Sequence, residues 1–185
     1  MHHPSALVTA FFMASAVSAE TPAILTPTGQ PQAFQAYVTG YSYWDNTPLG
    51  TVDISHPSRH QFAGGMGTFS NPITLAVGHQ IIDGENILDI PVGTVLYLPR
   101  LRKYAVVEDT CGDGPQPQDG PCHSGNNGLI WLDIYVDGIS SGKAESDACM
   151  VTITGAQPVV MEPGPNMSVV VGPVTEAGCF TFPDP

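Results

Sequence analysis

Basic residues are scarce in this chain of 185 residues, which has five Lys and Arg against 17 Asp and Glu and a formal net charge of −12. No stripe of basic side chains is present to neutralise phosphates, so nucleic acid is excluded as a partner. An anionic membrane surface is disfavoured for the same reason. The charge is compatible with a neutral or cationic polymer, and its default explanation is solubility in an extracellular medium.

Long apolar runs are also few, and none reaches the length that a membrane-spanning helix needs. The N-terminal stretch has an apolar centre, Ala6–Ala16, followed by Val17-Ser18-Ala19, which is a small-residue cleavage pattern. We interpret residues 1–19 as a secretory signal peptide, although no Lys or Arg precedes the apolar centre. The rest of the chain suits a single domain. We therefore predict a secreted, extracellular protein and expect a monomer.

A Cys-x-x-Cys pair is absent, which argues against a structural zinc site. Four cysteines remain, and an even number in an exported chain predicts two disulfides. Three connectivities are open. We favour Cys111–Cys122, which closes a short Gly- and Pro-rich loop, and Cys149–Cys179, which ties the C-terminal segment to the body.

Histidines with metal-binding spacing are missing too. The candidates are scattered through predicted loops without a recognised pattern: His56, His60, His79 and His123. The segment DGENILD lacks the full ligand pattern of a calcium loop. We expect neither a metal nor a cofactor.

Helix signals are confined to one short stretch, Ser140–Ser146, whereas short apolar runs separated by Gly, Pro, Asp and Asn clusters are frequent. These runs are predicted strands: Phe34–Thr39, Ile73–Val77, Thr94–Leu98, Tyr104–Val107, Leu129–Val136 and Met150–Thr154. Six strands without helical alternation predict an all-β barrel or sandwich over residues 33–155. Residues 20–32 are interpreted as an extended leader. Residues 156–185 are interpreted as a Pro-rich arm or edge hairpin tied by Cys179, with a glycosylation sequon at Asn166.

Two aspartates in neighbouring predicted strands are the main functional signal. Asp109 ends the run AVVED, and Asp133 lies within GLIWLDIYV. An ionised carboxylate is costly to bury, so a fold that places one in a strand pairs it, protonates it or exposes it to a groove. Asp109 has the alternative role of accepting hydrogen bonds in a turn. Asp133 shares a strand face with Trp131 and Tyr135, which suits a sugar site because aromatic rings stack on sugars and desolvate the acid.

The ordered motifs VTGY, GGMGTFSNPITLAVG, IPVGTVLYLP, RKYAVVEDTCG and WLDIYV resemble those of the double-psi β-barrel proteins. Within that superfamily they are similar to expansins, family 45 endoglucanases, rare-lipoprotein-A proteins and the three-aspartate domain of lytic transglycosylases. The resemblance spans residues 36–155 and implies a six-stranded double-psi β-barrel, with disulfide-stapled loops and the C-terminal arm added to it.

The resemblance also implies site residues. Asp133 matches the groove acid that is catalytic in the cellulases, and Asp109 matches their second groove aspartate. Thr39 and Tyr41 match first-strand residues that hydrogen-bond the acid and form the groove wall. The triplet Tyr43, Trp44 and Asp45 resembles the Tyr-Trp-Asp opening of family 45 cellulases, with an aromatic-rich loop as the alternative. We expect Trp131 and these wall residues to contact substrate.

Two departures from the families limit the assignment. The three-aspartate domain has Ala-x-Asp where this chain has Ala76-Val77-Gly78, which weakens a lytic-transglycosylase function. The expansin triplet His-Phe-Asp is Trp131-Leu132-Asp133 here, and too few residues follow Gly155 for a carbohydrate-binding domain. We therefore expect a single-barrel protein and not a full two-domain expansin.

We hypothesise action on a β-linked polysaccharide, which would be a β-glucan, chitin or peptidoglycan. Asp133 would be the general acid, with Asp109 as the base or electrostatic partner. One alternative is a non-catalytic, expansin-like protein that binds or loosens the glycan. Another is a secreted effector or structural protein that uses the barrel only as a frame.

Overall fold

The computed structural model describes residues 24–184, so the predicted signal peptide at 1–19 lies outside the described residues. Strands dominate the described part. In chain order the strands are β1 (Gln32–Tyr41), β2 (Ile73–Val77), β3 (His79–Ile82), β4 (Glu85–Leu88), β5 (Val95–Leu98), β6 (Lys103–Thr110), β7 (Ile130–Tyr135) and β8 (Gly155–Met161). Helices are short: a 3-10 turn at Pro117–Asp119, α1 (Pro121–Ser124) and α2 (Lys143–Ile153). The all-β prediction is confirmed.

Six strands close into a barrel in the order β1-β7-β2-β6-β5-β8. The pairs β1–β7 and β2–β6 are parallel, and the other pairs are antiparallel. Alternate apolar side chains fill the interior, as in β7, where Leu132 and Ile134 are fully buried while the alternating residues Trp131 and Asp133 are only partly buried. Closure leaves no long sheet edge exposed.

The predicted strand Met150–Thr154 is wrong. Most of that run is the last turn of α2, and the sixth barrel strand is β8, which pairs with β1 and at its end with β5. The prediction failed because β-branched residues favour strands only weakly, and packing overrides that preference. The sequence did not predict β8 because proline is rare within strands. Pro158 is tolerated because it lies where β8 pairs with β1 alone and has no second neighbouring strand. The barrel therefore extends to Met161 rather than ending at Gly155.

Helix α2 packs against β1, and its buried side chains are Ser146, Cys149 and Ile153. Gly40 in β1 allows this contact. A Cβ atom at Gly40 would lie 2.8 Å from Cγ1 of Val136 and 3.0 Å from Cδ1 of Ile153, closer than packed atoms tolerate. Because Gly40 has no side chain, α2 can approach β1 this closely.

A separate hairpin, which the sequence interpretation missed, consists of β3 and β4. Its turn is Asp83-Gly84, and both residues have positive φ, 52° and 83°. Asp-Gly is a favoured pair for such two-residue hairpin turns. The segment DGENILD is therefore this turn and the strand that follows it.

After β8, residues 162–184 form an arm that contacts the end of the barrel where β6 begins; residues 156–161, which were interpreted as part of the arm, belong to β8. The hydroxyls of Tyr97 and Tyr104 donate to the carbonyls of Ser168 and Gly164, at 2.6 and 2.5 Å. The ammonium of Lys103, which is buried, donates to the carbonyls of Val170 and Gly172. Burial lowers the pKa of Lys103 to about 8. The sequon residue Asn166 is exposed within this arm.

Both favoured disulfides are present: Cys111–Cys122 within the loop after β6, and Cys149–Cys179 between α2 and the arm. They are compatible with an extracellular protein. No helix within residues 24–184 is both long and apolar enough to cross a membrane.

Replacing Cys149 and Cys179 together by Ala is expected to lower the free energy of unfolding by about 3 kcal/mol, because the disulfide closes a loop with a sequence separation of 30. Urea denaturation at neutral pH measures this. The matched variant lacks Cys111–Cys122, whose separation is 11, and should lose about 1 kcal/mol less by the chain-entropy estimate. A larger loss of stability on removing the disulfide of the shorter loop would contradict the chain-entropy explanation.

Candidate functional site

Four neighbouring strands bring the predicted acids into one row. Thr39 of β1 is the register partner of Asp133 in β7, Asp133 is the partner of Ala76 in β2, and Ala76 is the partner of Asp109 in β6. Register partners point to the same face of a sheet. Neighbouring strands lie about 4.8 Å apart, so the Cα atoms of the two acids are roughly 10 Å apart. The small side chain of Ala76 leaves the space between them open.

A β-bulge places Asp109 in this row. The pairing of β2 with β6 shifts between Leu75, which lies opposite Val107, and Ala76, which lies opposite Asp109. Without that shift, Glu108 would stand beside Ala76. Bulges re-aim side chains and are frequent next to active sites.

A cavity of about 380 Å³ opens over the row. Its walls are the ends of the strands, the loop that follows β1 and the loop after β6. No Lys or Arg within residues 24–184 lines it, whereas five aspartates do: Asp45, Asp53, Asp109, Asp113 and Asp133. The other lining residues are Tyr41, Asn46, Thr47, Ile54, Ser55, Ala76, Thr110, Cys111 and Gly112. The cavity is therefore strongly acidic.

Asp133 is the perturbed acid of the cavity. Its Oδ1 accepts a hydrogen bond of 2.6 Å from the Thr39 hydroxyl. Burial raises the pKa of Asp133 to about 7; the Thr39 hydrogen bond opposes this rise, and the charges of Asp45 and Asp109 add to it. Asp133 can thus carry a proton at mildly acidic to neutral pH.

Asp109 is in a different environment, although it lines the same cavity. Its Oδ1 accepts hydrogen bonds from the backbone and hydroxyl of Ser55 and from the backbone of Thr110. Its Oδ2 accepts a hydrogen bond of 3.0 Å from the Tyr41 hydroxyl. Asp109 therefore accepts backbone hydrogen bonds, as the turn interpretation expects, and it also lines the cavity.

Glu108 fixes the loop that carries Ser55. It is fully buried, and its carboxylate accepts hydrogen bonds from Ser58, from the backbone of Arg59, from the backbone and ring of His60, and from Thr74. Burial alone would raise the pKa of Glu108, but these hydrogen bonds outweigh burial and lower it. The wall of the cavity around Ser55 therefore depends on a charged group beneath it.

Comparison with known proteins places the chain in a family. The family model described as the DDB_G0273701 N-terminal domain matches residues 33–180, which include the barrel from its second residue onward, the cavity and most of the arm. The chain belongs to this family. A relative from Dictyostelium discoideum, Uncharacterized protein DDB_G0273701/DDB_G0273221, is 29% identical over 117 residues. That match covers 63% of this chain and 45% of the relative, and no solved structure matches the chain.

In this DDB_G0273701 N-terminal domain, four predicted site residues line the cavity together: Tyr41, Asp45, Asp109 and Asp133. The Thr39 hydroxyl donates a hydrogen bond to Asp133, and the indole Nε1 of Trp131 donates one to Thr39. Thr39 and Trp131 are thus brought to the acid without being part of the cavity lining.

The predicted aromatic wall lies elsewhere. The rings of Tyr43 and Trp44 pack edge to face, and the Trp44 indole donates to the carbonyl of Gly138. Asp45 does reach the cavity, where its Oδ1 also accepts from the backbone and hydroxyl of Ser42. Of the triplet in YSYWDN, only the acid therefore faces the site.

Sequence reasoning missed Asp53, Ser55 and Asp113, which also line the cavity. The side chain of Asn46 shapes this wall by donating to the carbonyls of Thr51 and Asp53. Only the density of Pro, Gly, Thr and Asp in TPLGTVDIS could have indicated an ordered loop here. No local pattern distinguishes an acid that faces a cavity from one in solvent.

The four histidines considered for a metal have separate partners. His60 contacts Glu108, His79 contacts Asn86 and the Gly112 carbonyl, His123 contacts Asp89, and His56 contacts Ser55. Within the part of the chain that the structure describes, no group of three or more His, Cys, Asp or Glu is arranged to hold a metal ion.

Proposed function

We propose that this protein is a secreted, polysaccharide-active double-psi β-barrel that cleaves or loosens β-linked cell-wall glycans, with Asp133 as the general acid. The observation that carries the proposal is a carboxyl group with a pKa of about 7 at the wall of a cavity. A glycosidase needs such a proton donor for the leaving glycosidic oxygen. The closed barrel and the two disulfides support the fold and the extracellular part of the proposal.

Asp109 suits the role of electrostatic partner better than the role of base. The four hydrogen bonds that its carboxyl group accepts engage both oxygens and leave little room for a water. The carboxylate of Asp53 accepts no hydrogen bond from the described residues, and Oδ2 of Asp45 is similarly open. Asp53 and Asp45 are therefore the candidates for the base of an inverting reaction, in which a water lies between the base and the acid.

A non-catalytic, expansin-like binder is the second candidate. It is favoured by the four hydrogen bonds that Asp109 already accepts, because they leave little room for a catalytic water. Such a protein would use Asp133 and the cavity to hold a glycan without cleaving it. The two candidates differ in whether soluble products appear.

The deciding experiment incubates the protein with cellulose, β-1,3/1,4-glucan, chitin, chitosan and peptidoglycan, and measures soluble oligosaccharides together with protein bound to each polymer. Products from one polymer would establish cleavage. Binding to one polymer without products would establish the binder. Neither products nor binding on any polymer would reject both, and would leave the effector or structural role.

If cleavage occurs, its rate is expected to fall as the pH rises through about 7, because the general acid loses its proton there. Above that pH, kcat/KM should decrease about tenfold per pH unit. Initial rates from pH 4 to 9 on the polymer that gives products measure the profile. A rate that stays level up to pH 9 would contradict Asp133 as the acid.

A further inference from the structure

A chain of two hydrogen bonds ends at Asp133. The indole Nε1 of Trp131 donates to Oγ1 of Thr39 at 2.7 Å, and Oγ1 of Thr39 donates to Oδ1 of Asp133 at 2.6 Å. An indole N–H can only donate, and a threonine hydroxyl has a single proton. Because Thr39 accepts from Trp131, its own proton is directed at Asp133.

The chain determines which carboxyl oxygen holds the acid proton. Oδ1 of Asp133 remains an acceptor whether Asp133 is charged or neutral. A proton on Asp133 therefore lies on Oδ2, which accepts no hydrogen bond from residues 24–184, while Asp133 itself lines the cavity. A general acid must present its proton on the oxygen that faces the substrate.

We infer that Trp131 is a positioning residue: its indole N–H orients the Thr39 hydroxyl, so that Asp133 presents its proton on Oδ2. The consequence for catalysis rests on the proposed function. The orientation itself does not, since it follows from the two distances and the donor chemistry.

The packing of Trp131 explains why the indole holds its position. Tyr37 and Trp131 are register partners on β1 and β7, and their rings meet edge to face with centroids 4.8 Å apart. Trp131 also lies two residues before Asp133, so both side chains are on the same face of β7. This hydrogen-bonding role is distinct from the substrate contact that the sequence predicts for Trp131, which stays a prediction.

A spectroscopic test needs no variant. The protein contains two tryptophans, and the indole of Trp44 donates to a backbone carbonyl instead. In a proton NMR titration of the wild-type protein, the Nε1–H resonance of Trp131 is expected to follow the ionisation of Asp133, with a midpoint near pH 7. The Trp44 resonance should not. Equal behaviour of the two resonances would overturn the inference.

Variants give a second, independent test through the carboxyl carbon resonance of Asp133. Removing the indole donor in Trp131→Phe should weaken the Thr39 hydrogen bond to the ionised carboxylate, so the titration midpoint should move up. Thr39→Val should move it further, and Trp131→Phe added to Thr39→Val should move it no more. Trp44→Phe is the matched control for the titration and should leave the midpoint in place.

The inference fails if Trp131→Phe leaves the midpoint unchanged, or if it shifts the midpoint equally in the Thr39→Val background. A polymer screen without products or binding would reject the proposed function and leave this result standing. Where products are found, the alkaline limb of the pH profile should move with the midpoint in Trp131→Phe. A change in rate without a change in profile would indicate a merely structural effect.

Discussion

Replacing Asp133 by Asn is expected to lower the rate of glycan cleavage by about 10²–10⁴-fold, the usual contribution of a positioned general acid. Asn keeps the size of the side chain and an oxygen that accepts the hydrogen bond from Thr39. It has no proton to give to the leaving oxygen. Soluble products from the responsive polymer, measured below pH 7, report the loss.

The same change should not destabilise the protein, because it removes a carboxyl group whose ionised form is disfavoured at this position by burial. A melting temperature equal to or above that of the wild type would therefore accompany the loss of activity. Asp147→Asn is a suitable control, since it removes one negative charge from the exposed pair with Lys143 on α2. Full cleavage activity in Asp133→Asn would argue against Asp133 as the general acid.

The sequence indicated that both acids lie in or at the end of apolar strands, and both do line the cavity. It did not indicate that β2 lies between β6 and β7 in the barrel. The row of side chains was not predictable either, because it depends on the bulge that sets Asp109 rather than Glu108 beside Ala76. A bulge changes the register of two strands that are distant in sequence, and periodicity within one strand does not report it.

The remaining errors have the same origin in long-range packing. Strand β8 was concealed by Pro158, and the end of α2 resembled a strand until its contact with β1 was known. The role of Trp131 depends on Thr39, which is 92 residues away along the chain. The sequence of β7 indicated that Trp131 and Asp133 share a face, but the hydrogen bond of Trp131 depends on Thr39 in the paired strand β1.

Replacing Glu108 by Ala is expected to lower the free energy of unfolding by about 3–5 kcal/mol, the usual loss when one partner of a buried charged network is removed. The change leaves the donors on Ser58, Arg59, His60 and Thr74 without their carboxylate acceptor, and Thr74 among them is buried. Urea denaturation at pH 7 with the disulfides intact measures the loss. Glu162→Ala is the matched control.

Glu162 suits that purpose because its carboxylate also accepts backbone hydrogen bonds, from Thr28 and Gly29, but at an exposed position. Water can replace it there, so the control should lose about 1 kcal/mol or less. Comparable losses in the two variants would show that the number of hydrogen bonds matters and burial does not, contrary to our expectation.

The pH dependence separates the charge of Glu108 from its shape. Because the folded-state pKa of Glu108 is lowered, its stabilisation is fully present above the unfolded-state pKa of about 4.3. It is lost as the pH falls through the lower, folded-state pKa. Glu108→Gln keeps the size but does not titrate, so the stability difference from the wild type should shrink below about pH 4. A difference that stays constant from pH 7 to pH 3 would assign the loss to packing alone.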